Sequence, residues 1–265
     1  MRGPGAELPP ASTVVRRLRM SGCVAAEEEA EELLAAASDP ATVEAWVRRR
    51  QQGEPLAWIT GSTDFCGQAV AVDHGVYVPR RQSEELARRA ARLLDASARR
   101  AAADLCTGAG AVAAHLTAAV PDATVVAVDI DPWAVDCARR NGVAVVRGDL
   151  GAPLRSASFG VVTAVAPYVP TGEMRLLPGD VQRFEPRRAL DGGDDGLDVV
   201  RRVVTSAARL LRPGGWLLLE VGGAQDTDLA RTLLTAGFDR PESWYDEDGD
   251  LRGLEVRLAA DDDPR

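Results

Sequence analysis

The chain of 265 residues has no lysine, only two histidines and only four cysteines. The absence of lysine excludes Schiff-base and other lysine-based catalysis. The cysteines are far apart and form no C-x-x-C pair, so the sequence predicts neither a disulfide framework nor a zinc site. A histidine-rich metal centre is not expected either, and we therefore predict no metal in the site.

Long apolar runs and an excess of positive charge are also missing. No apolar run reaches the roughly 18 residues that a membrane span requires, and residues 1–10 lack the apolar core of a secretion signal. The formal net charge of −9 argues against direct binding to nucleic acid. We therefore expect a cytoplasmic protein with no membrane or nucleic-acid partner, whose chemistry depends on a bound organic cofactor.

Two regions of different character follow one another along the chain. Residues 12–52 predict three helices and no strand, with Ser12 or Thr13 capping the first and Asp39-Pro40 opening the third. Gly53 begins the first segment whose glycine and proline predict an end to the helical region. We predict a helical domain over 1–52, a linker with a hairpin over 53–82, in which 57–64 and 69–78 are extended, and the main domain over 83–265.

From Ser83 onward, a helix is followed by alternating strands and helices. The predicted strands lie at 101–105, 124–128, 143–147, 159–165 and 216–221, the predicted helices at 110–119, 132–141, 194–211 and 226–236, and a final pair of strands lies within 242–259. Alternation at this spacing is typical of a doubly wound, mostly parallel α/β sheet.

A glycine-rich segment lies where a predicted strand turns into a helix, and it spans 104–110 (DLCTGAG). Glycine lets the backbone turn tightly and approach a ligand without a Cβ in the way. Taken alone, Gly108 and Gly110 are compatible with part of a dinucleotide-binding fingerprint. They are also compatible with a strand–helix turn that binds no ligand. The acidic residues around the segment distinguish these readings.

Acidic residues accompany three successive strands. Asp104 precedes the glycines, Asp129 ends the next strand, where a carboxylate can accept hydrogen bonds from ribose hydroxyls, and Asp149 follows the third strand, where it can accept from an adenine amino group. Asp104 would repel a pyrophosphate and attract the ammonium of an amino acid. The pattern favours S-adenosylmethionine over NAD. The predicted cofactor-binding residues are Asp104, Thr107, Gly108, Gly110, Asp129, Ile130, Asp149 and Leu150.

Three further segments, in order along the chain, resemble the HemK/PrmC-type protein-glutamine methyltransferases. They are 53–61 (GEPLAWITG), 78–84 (VPRRQSE) and 184–197 (FEPRRALDGGDDGL). The resemblance extends over about four-fifths of the chain. It implies the seven-stranded methyltransferase fold, preceded by a small helical domain, with S-adenosylmethionine as cofactor. It also implies that the methyl acceptor is a glutamine of a protein, such as a peptide release factor or a ribosomal protein.

The catalytic signature of that family is Asn-Pro-Pro-Tyr after the fourth strand, where the Asn side chain and a neighbouring backbone carbonyl accept hydrogen bonds from the glutamine amide. The equivalent segment here is Val165, Ala166, Pro167 and Tyr168. Valine accepts no hydrogen bond, and the only asparagine of the chain is Asn141. The resemblance therefore implies a glutamine methyltransferase with a degenerate catalytic motif. The alternatives are a cofactor-binding homologue that has lost catalysis and a methyltransferase redirected to a small molecule.

Overall fold

The computed structural model describes residues 7–260. Residues 1–6 and 261–265 lie outside it, including most of the segment 1–10 that carries the expectation of no secretion signal. The helices are α1 (Ala11–Met20), α2 (Ala26–Ala36), α3 (Pro40–Gln51), α4 (Leu56–Thr60), α5 (Ser83–Ala96), α6 (Ala111–Ala119), α7 (Pro132–Arg140), α8 (Gly179–Phe184), α9 (Asp198–Leu210) and α10 (Gln225–Thr235). Within the described residues, no helix is long and apolar enough to cross a membrane.

The strands form one small sheet and one large sheet. They are β1 (Ser62–Phe65), β2 (Gln68–Ala71), β3 (Ala101–Leu105), β4 (Thr124–Asp129), β5 (Val145–Arg147), β6 (Phe159–Ala164), β7 (Leu211–Glu220), β8 (Glu242–Tyr245) and β9 (Leu251–Arg257). β1 and β2 make an antiparallel hairpin, and the other seven strands are ordered β5-β4-β3-β6-β7-β9-β8. In this sheet β3 to β7 run parallel to one another, and β9 runs antiparallel to both of its neighbours, β7 and β8. The predicted doubly wound seven-stranded fold is confirmed.

Burial on both faces explains why the central strands are apolar throughout. All six residues of β6 are buried, as expected for a parallel strand covered by helices on both sides. One layer includes α5, α6 and α7, and the other includes α9 and α10. α9 places Val200, Val203, Val204, Ala207 and Leu210 on one buried face. The carboxyl ends of β3, β4 and β6 consequently meet at one edge of the sheet, where ligands bind in folds of this type.

The three predicted N-terminal helices are present and pack around their own apolar cluster, which includes Leu18, Leu33 and Val47. The predicted start of α3 is confirmed, because the Asp39 carboxylate accepts from the Thr42 N–H at 3.0 Å. The predicted cap of α1 is wrong: α1 follows Pro10, whose carbonyl accepts from the Thr13 N–H, and no side chain caps it.

The linker differs from the sequence prediction in both of its extended segments, and the second, predicted over 69–78, is a strand only as far as Ala71. Residues predicted to be extended from 57 onward form α4, and only 62–65 pair as a strand. Pro55 immediately precedes α4, and its carbonyl accepts from the N–H groups of Trp58 and Ile59. A helical turn lets Ile59 pack on the N-terminal cluster while Trp58 packs on the main core. Three short helical segments within 171–189, including α8, were also not predicted.

Candidate active site

Two clefts lie at the carboxyl edge of the parallel strands. The first, which we call the cofactor cleft, is lined by the glycine loop and by the ends of β4 and β5. The second, which we call the acceptor cavity, is lined by the segment after β6 and by α8. Three residues line both: Tyr77, Val165 and Ala189. Because the clefts meet there, a group held in one can reach a group held in the other.

The glycine loop has the open backbone that a bound ligand requires. Gly108 has φ of +56° with nothing within 4 Å of a built Cβ, so its backbone faces open space. Gly110 has φ of +85°, and a Cβ there would lie 3.0 Å from Ala138 and Val143. Gly108 therefore supplies access to the backbone and Gly110 allows α6 to begin close to α7. Thr107 and Gly108 line the cofactor cleft.

Asp129 is bound to the glycine loop and faces the cofactor cleft. Its carboxylate accepts from the N–H groups of Gly108 and Asp131, each at 2.9 Å. Burial raises the pKa of Asp129, and these two N–H groups oppose the rise. A carboxylate has about four acceptor positions, so Asp129 retains acceptors for a ribose. The site prediction for Asp129 fits this geometry.

Asp104 lies beneath the loop rather than on the surface of the cleft. It is buried, it is absent from the cleft lining, and it accepts from the hydroxyls of Thr107 at 2.5 Å and Thr163 at 2.7 Å. Burial raises its pKa to about 6, against the lowering effect of both hydroxyls. In this geometry Asp104 supports the loop from below, and direct contact with an ammonium stays a prediction.

The raised pKa of Asp104 makes stability depend on pH. The carboxyl is protonated more readily in the folded chain than in the unfolded chain, whose ordinary value is about 3.9. The contribution of the protonated Asp104 carboxyl to the free energy of unfolding is therefore fully present below about pH 4. It is lost as the pH rises through about 6. Asp104→Asn removes this titration. We expect the free energy of unfolding of the variant, relative to the native chain, to rise by about 3 kcal/mol between pH 4 and pH 7.

Urea unfolding of both proteins at the two pH values measures this difference. Asp122→Asn serves as the matched control, because the Asp122 side chain is 87% exposed. If the free energy of unfolding of Asp104→Asn differs from that of the native chain by the same amount at both pH values, Asp104 is not the titrating group.

The far end of the cofactor cleft combines apolar surface with two ion pairs. Ile130 is exposed and lines the cleft, as does Leu150, which has φ of +48°. Asp149 also lines it and accepts from Arg202 of α9 at 2.6 Å. Arg188 forms the second pair, with Asp131, at 2.8 Å. An apolar platform beside a carboxylate fits an adenine ring with an amino group.

The polar side chains around the acceptor cavity are mostly bound to one another. Arg80 pairs with the buried Glu185, whose carboxylate also accepts from the Val78 N–H at 3.4 Å. Arg252 pairs with Asp246 at 2.5 Å. Burial raises the pKa of Glu185, and Arg80 opposes this rise. The apolar part of the lining comprises Val165, Ala166, Val169, Leu177, Pro178, Val181, Ala189 and Leu190.

Tyr168 belongs to a buried network centred on Glu220 at the end of β7. The Glu220 carboxylate accepts from Tyr168 at 2.8 Å, from Gln82 at 2.9 Å and from Ser83 at 2.5 Å. Gln82 also donates to the Tyr168 oxygen at 2.9 Å. Burial raises the pKa of Tyr168, and the Glu220 charge adds to the rise. The network links Tyr168 and Gln82, which line the acceptor cavity, to Ser83, which lines the cofactor cleft.

Val165 is half-buried at the junction and brings no polar atom of its side chain to it. Pro167 lines the cofactor cleft and Ala166 the acceptor cavity. Asn141 does not replace the missing asparagine. Its amide donates to the Ala71 and Ala109 carbonyls and accepts from the Ala71 N–H, all at 2.8 Å. It thereby joins the β1–β2 hairpin to the glycine loop.

The N-terminal helical unit supports one wall of the acceptor cavity. Asp180, in the first turn of α8, lines the cavity and lies 3.6 Å from Arg50 at the end of α3. Arg50 also donates to Glu29 at 2.7 Å. Phe184, the last residue of α8, packs edge-on against Trp58, with ring centroids 6.4 Å apart. The wall formed by α8 therefore rests on α3, which precedes the linker, and on α4 at the start of the linker.

Comparison with known proteins identifies related methyltransferases. The family described as "Methyltransferase domain" matches residues 102–180. The release factor glutamine methyltransferase of Moorella thermoacetica is 40% identical over 198 residues, covering 71% of this chain and 70% of that protein. The 4-amino-L-phenylalanine/4-methylamino-L-phenylalanine methyltransferase of Streptomyces pristinaespiralis is 38% identical over 191 residues. The match covers 68% of this chain and 65% of that protein.

Among solved structures, the E. cuniculi Mtq2–Trm112 complex, described as responsible for methylation of the eRF1 termination factor, matches with a TM-score of 0.50. It is 22% identical and covers 69% of this chain and 98% of that one. At this identity the likeness concerns the fold alone. The fold and the cofactor cleft define an S-adenosylmethionine-dependent methyltransferase.

Within that class, the chain belongs to the release factor glutamine methyltransferase family. The resemblance and the cofactor predicted from the sequence are confirmed. The contacts of individual residues with that cofactor stay predictions.

The structure brings most of the predicted site residues to one place. Thr107, Gly108, Asp129, Ile130, Asp149 and Leu150 all line the cofactor cleft, whereas Asp104 and Gly110 lie behind it. Sequence reasoning missed Tyr77, Gln82 and Glu220. Glu220 carries one signal, because a carboxylate ending an apolar run (216–220, WLLLE) has to be paired when it is buried. Nothing in the local sequence marks Tyr77.

Proposed function

We propose that this protein methylates the side-chain amide of a glutamine in a protein substrate of the release-factor type. The observation that carries the proposal is the junction of the two clefts at Tyr77, Val165 and Ala189, beside the segment that replaces Asn-Pro-Pro-Tyr. When bound, S-adenosylmethionine supplies a methyl group on a positively charged sulfur, which is susceptible to attack by a nitrogen. Family membership supports glutamine as the source of that nitrogen.

The residues of this chain have separate roles in the proposed reaction. Asp129 and Gly108 bind and orient the cofactor, and Ile130 and Leu150 pack on its base. Tyr168 and the Glu220 network keep the acceptor-cavity wall rigid. No N–H or O–H of the described residues donates to the Ala166 carbonyl, so it is available to accept from an amide. Positioning of this kind is the main contribution that the protein makes to methyl transfer.

Labelled S-adenosylmethionine tests the proposal. The purified protein is incubated with a release factor, with a ribosomal fraction and with cell extract, and the labelled product is digested and sequenced by mass spectrometry. We expect a gain of one methyl group on a glutamine. Label found on another residue type would contradict the proposal.

A second candidate is methylation of an amine on a small aromatic molecule, and Val165 is the observation that favours it. A primary amide presents two N–H groups and one carbonyl, and burying them without partners costs about 1–3 kcal/mol. An arylamine has fewer polar groups and a ring that suits the apolar acceptor cavity. The Streptomyces pristinaespiralis relative, whose name specifies such an acceptor, supports this candidate.

The two candidates differ in the size of the labelled product. Under the same assay with 4-aminophenylalanine added, the second candidate predicts a labelled small molecule and an unlabelled protein fraction. If neither fraction is labelled while the cofactor binds, the chain is a cofactor-binding homologue without catalysis.

A further inference from the structure

We propose that Tyr77 binds the nitrogen of the methyl acceptor and supplies the hydrogen bond that Val165 does not. This inference rests on the proposed function, because it concerns how an acceptor is held at the same site. Tyr77 lies in the linker before α5, outside the degenerate motif and outside the glycine loop.

The position of Tyr77 is the first argument. The methyl group has to pass where the cofactor cleft and the acceptor cavity meet, and among residues 7–260 only Tyr77, Val165 and Ala189 line both. Valine and alanine have no polar side-chain atoms. Of these three residues, Tyr77 is therefore the one whose side chain can make a hydrogen bond.

The chemistry of the hydroxyl is the second argument. Burial and the Glu220 carboxylate raise the pKa of Tyr77, so the phenol stays neutral at physiological pH. A neutral phenol has one O–H donor and acceptor lone pairs. It can accept from an acceptor N–H and leave the nitrogen lone pair directed at the methyl group. A phenolate would instead be a competing nucleophile.

The setting of the ring is the third argument. Arg80 lies over the Tyr77 ring, with its guanidinium carbon 5.0 Å from the ring centroid, and Arg80 is itself held by Glu185. A ring fixed on one face by a buried ion pair loses little further freedom when a substrate binds. The backbone beside it is also fixed, because the neighbouring Val78 N–H donates to Glu185.

Tyr77→Phe tests the proposal, since it keeps the ring and removes the hydroxyl. Acceptor affinity is measured by calorimetry in the presence of S-adenosylhomocysteine, with a glutamine-bearing peptide and with 4-aminophenylalanine as probes. We expect affinity for the accepted probe to fall about 3- to 10-fold, the size of one lost neutral hydrogen bond, with unchanged affinity for S-adenosylhomocysteine. Tyr245→Phe is the matched control, because Tyr245 is exposed on edge strand β8.

A double-mutant cycle sharpens the test. In a Val165→Asn background, the new amide supplies part of the hydrogen bonding to the acceptor. Tyr77→Phe is then expected to lower acceptor affinity only about twofold. Equal acceptor affinity in Tyr77→Phe and the native chain would overturn the role of Tyr77 and leave the proposed function standing. If neither probe binds the native chain, the proposed function fails and the inference fails with it.

Discussion

Val165→Asn is expected to raise the rate of methylation of a glutamine-bearing peptide by about 10²-fold. Methyl transfer requires that donor and acceptor be aligned, and a single lost positioning contact costs about this factor. Val165 lies where the two clefts meet, so an asparagine amide there is placed beside the reacting groups. The measurement is the initial rate of a 14 Da mass gain on the peptide, with each purified protein at equal cofactor saturation.

The substitution has a cost that the experiment has to separate from the gain. Without substrate, the new amide leaves polar atoms partly buried and unpaired, which lowers the free energy of unfolding by about 1–3 kcal/mol. Val181→Asn is the matched control, because Val181 lines the acceptor cavity but not the cofactor cleft. It is expected to give no gain in rate. A native chain that is already as fast as Val165→Asn would show that the valine is no defect.

Asp129→Ala is expected to weaken binding of S-adenosylmethionine by about 10- to 100-fold. The carboxylate accepts from the N–H groups of Gly108 and Asp131, and it faces the cleft where the ribose is predicted. Each hydrogen bond to a charged group is worth about 1.5–3 kcal/mol. The variant loses the ribose contact and also leaves the Gly108 N–H without its partner, so the loop is less well positioned.

Calorimetric titration with S-adenosylmethionine measures this loss. Asp122→Ala removes a carboxylate of the same type from the exposed turn before β4 and is expected to leave the affinity unchanged. Unchanged affinity in Asp129→Ala would remove this residue from the cofactor site. The Asp129→Asn variant keeps one acceptor oxygen, so its affinity for S-adenosylmethionine is expected to lie between that of the native chain and that of the alanine variant.

The cofactor half of the site was predictable because its signals are local. A strand, a glycine turn and a helix follow one another within 101–119, and Asp129 comes at the end of the next strand. Parallel strands bring their carboxyl ends to one edge, so residues at those ends meet whatever their distance in sequence. The burial of Asp104 beneath the loop was less predictable, because it depends on a hydrogen bond from Thr163, which lies 59 positions away on the neighbouring strand β6.

Apart from the segment 165–168, which the family resemblance marks, the acceptor half was not predictable from the sequence because long-range contacts build it. Gln82 meets Glu220 across 138 positions, and Arg80 meets Glu185 across 105. The short helices within 171–189 have too few residues for a periodic pattern to reveal them. The sequence predicts an extended segment at α4 because its short apolar run, of which Ala57, Trp58 and Ile59 are buried, resembles a buried strand.

The contact between Arg50 and Asp180 has a consequence for how this enzyme can diverge. It couples a helix that precedes the linker to the wall that shapes the acceptor cavity, while the cofactor cleft is built without that helix. Substitutions among the first fifty or so residues can thus alter the range of accepted molecules without disturbing S-adenosylmethionine. Selection for a new acceptor can act on residues that never touch it, and the two ends of this contact should change together in descendants of the chain.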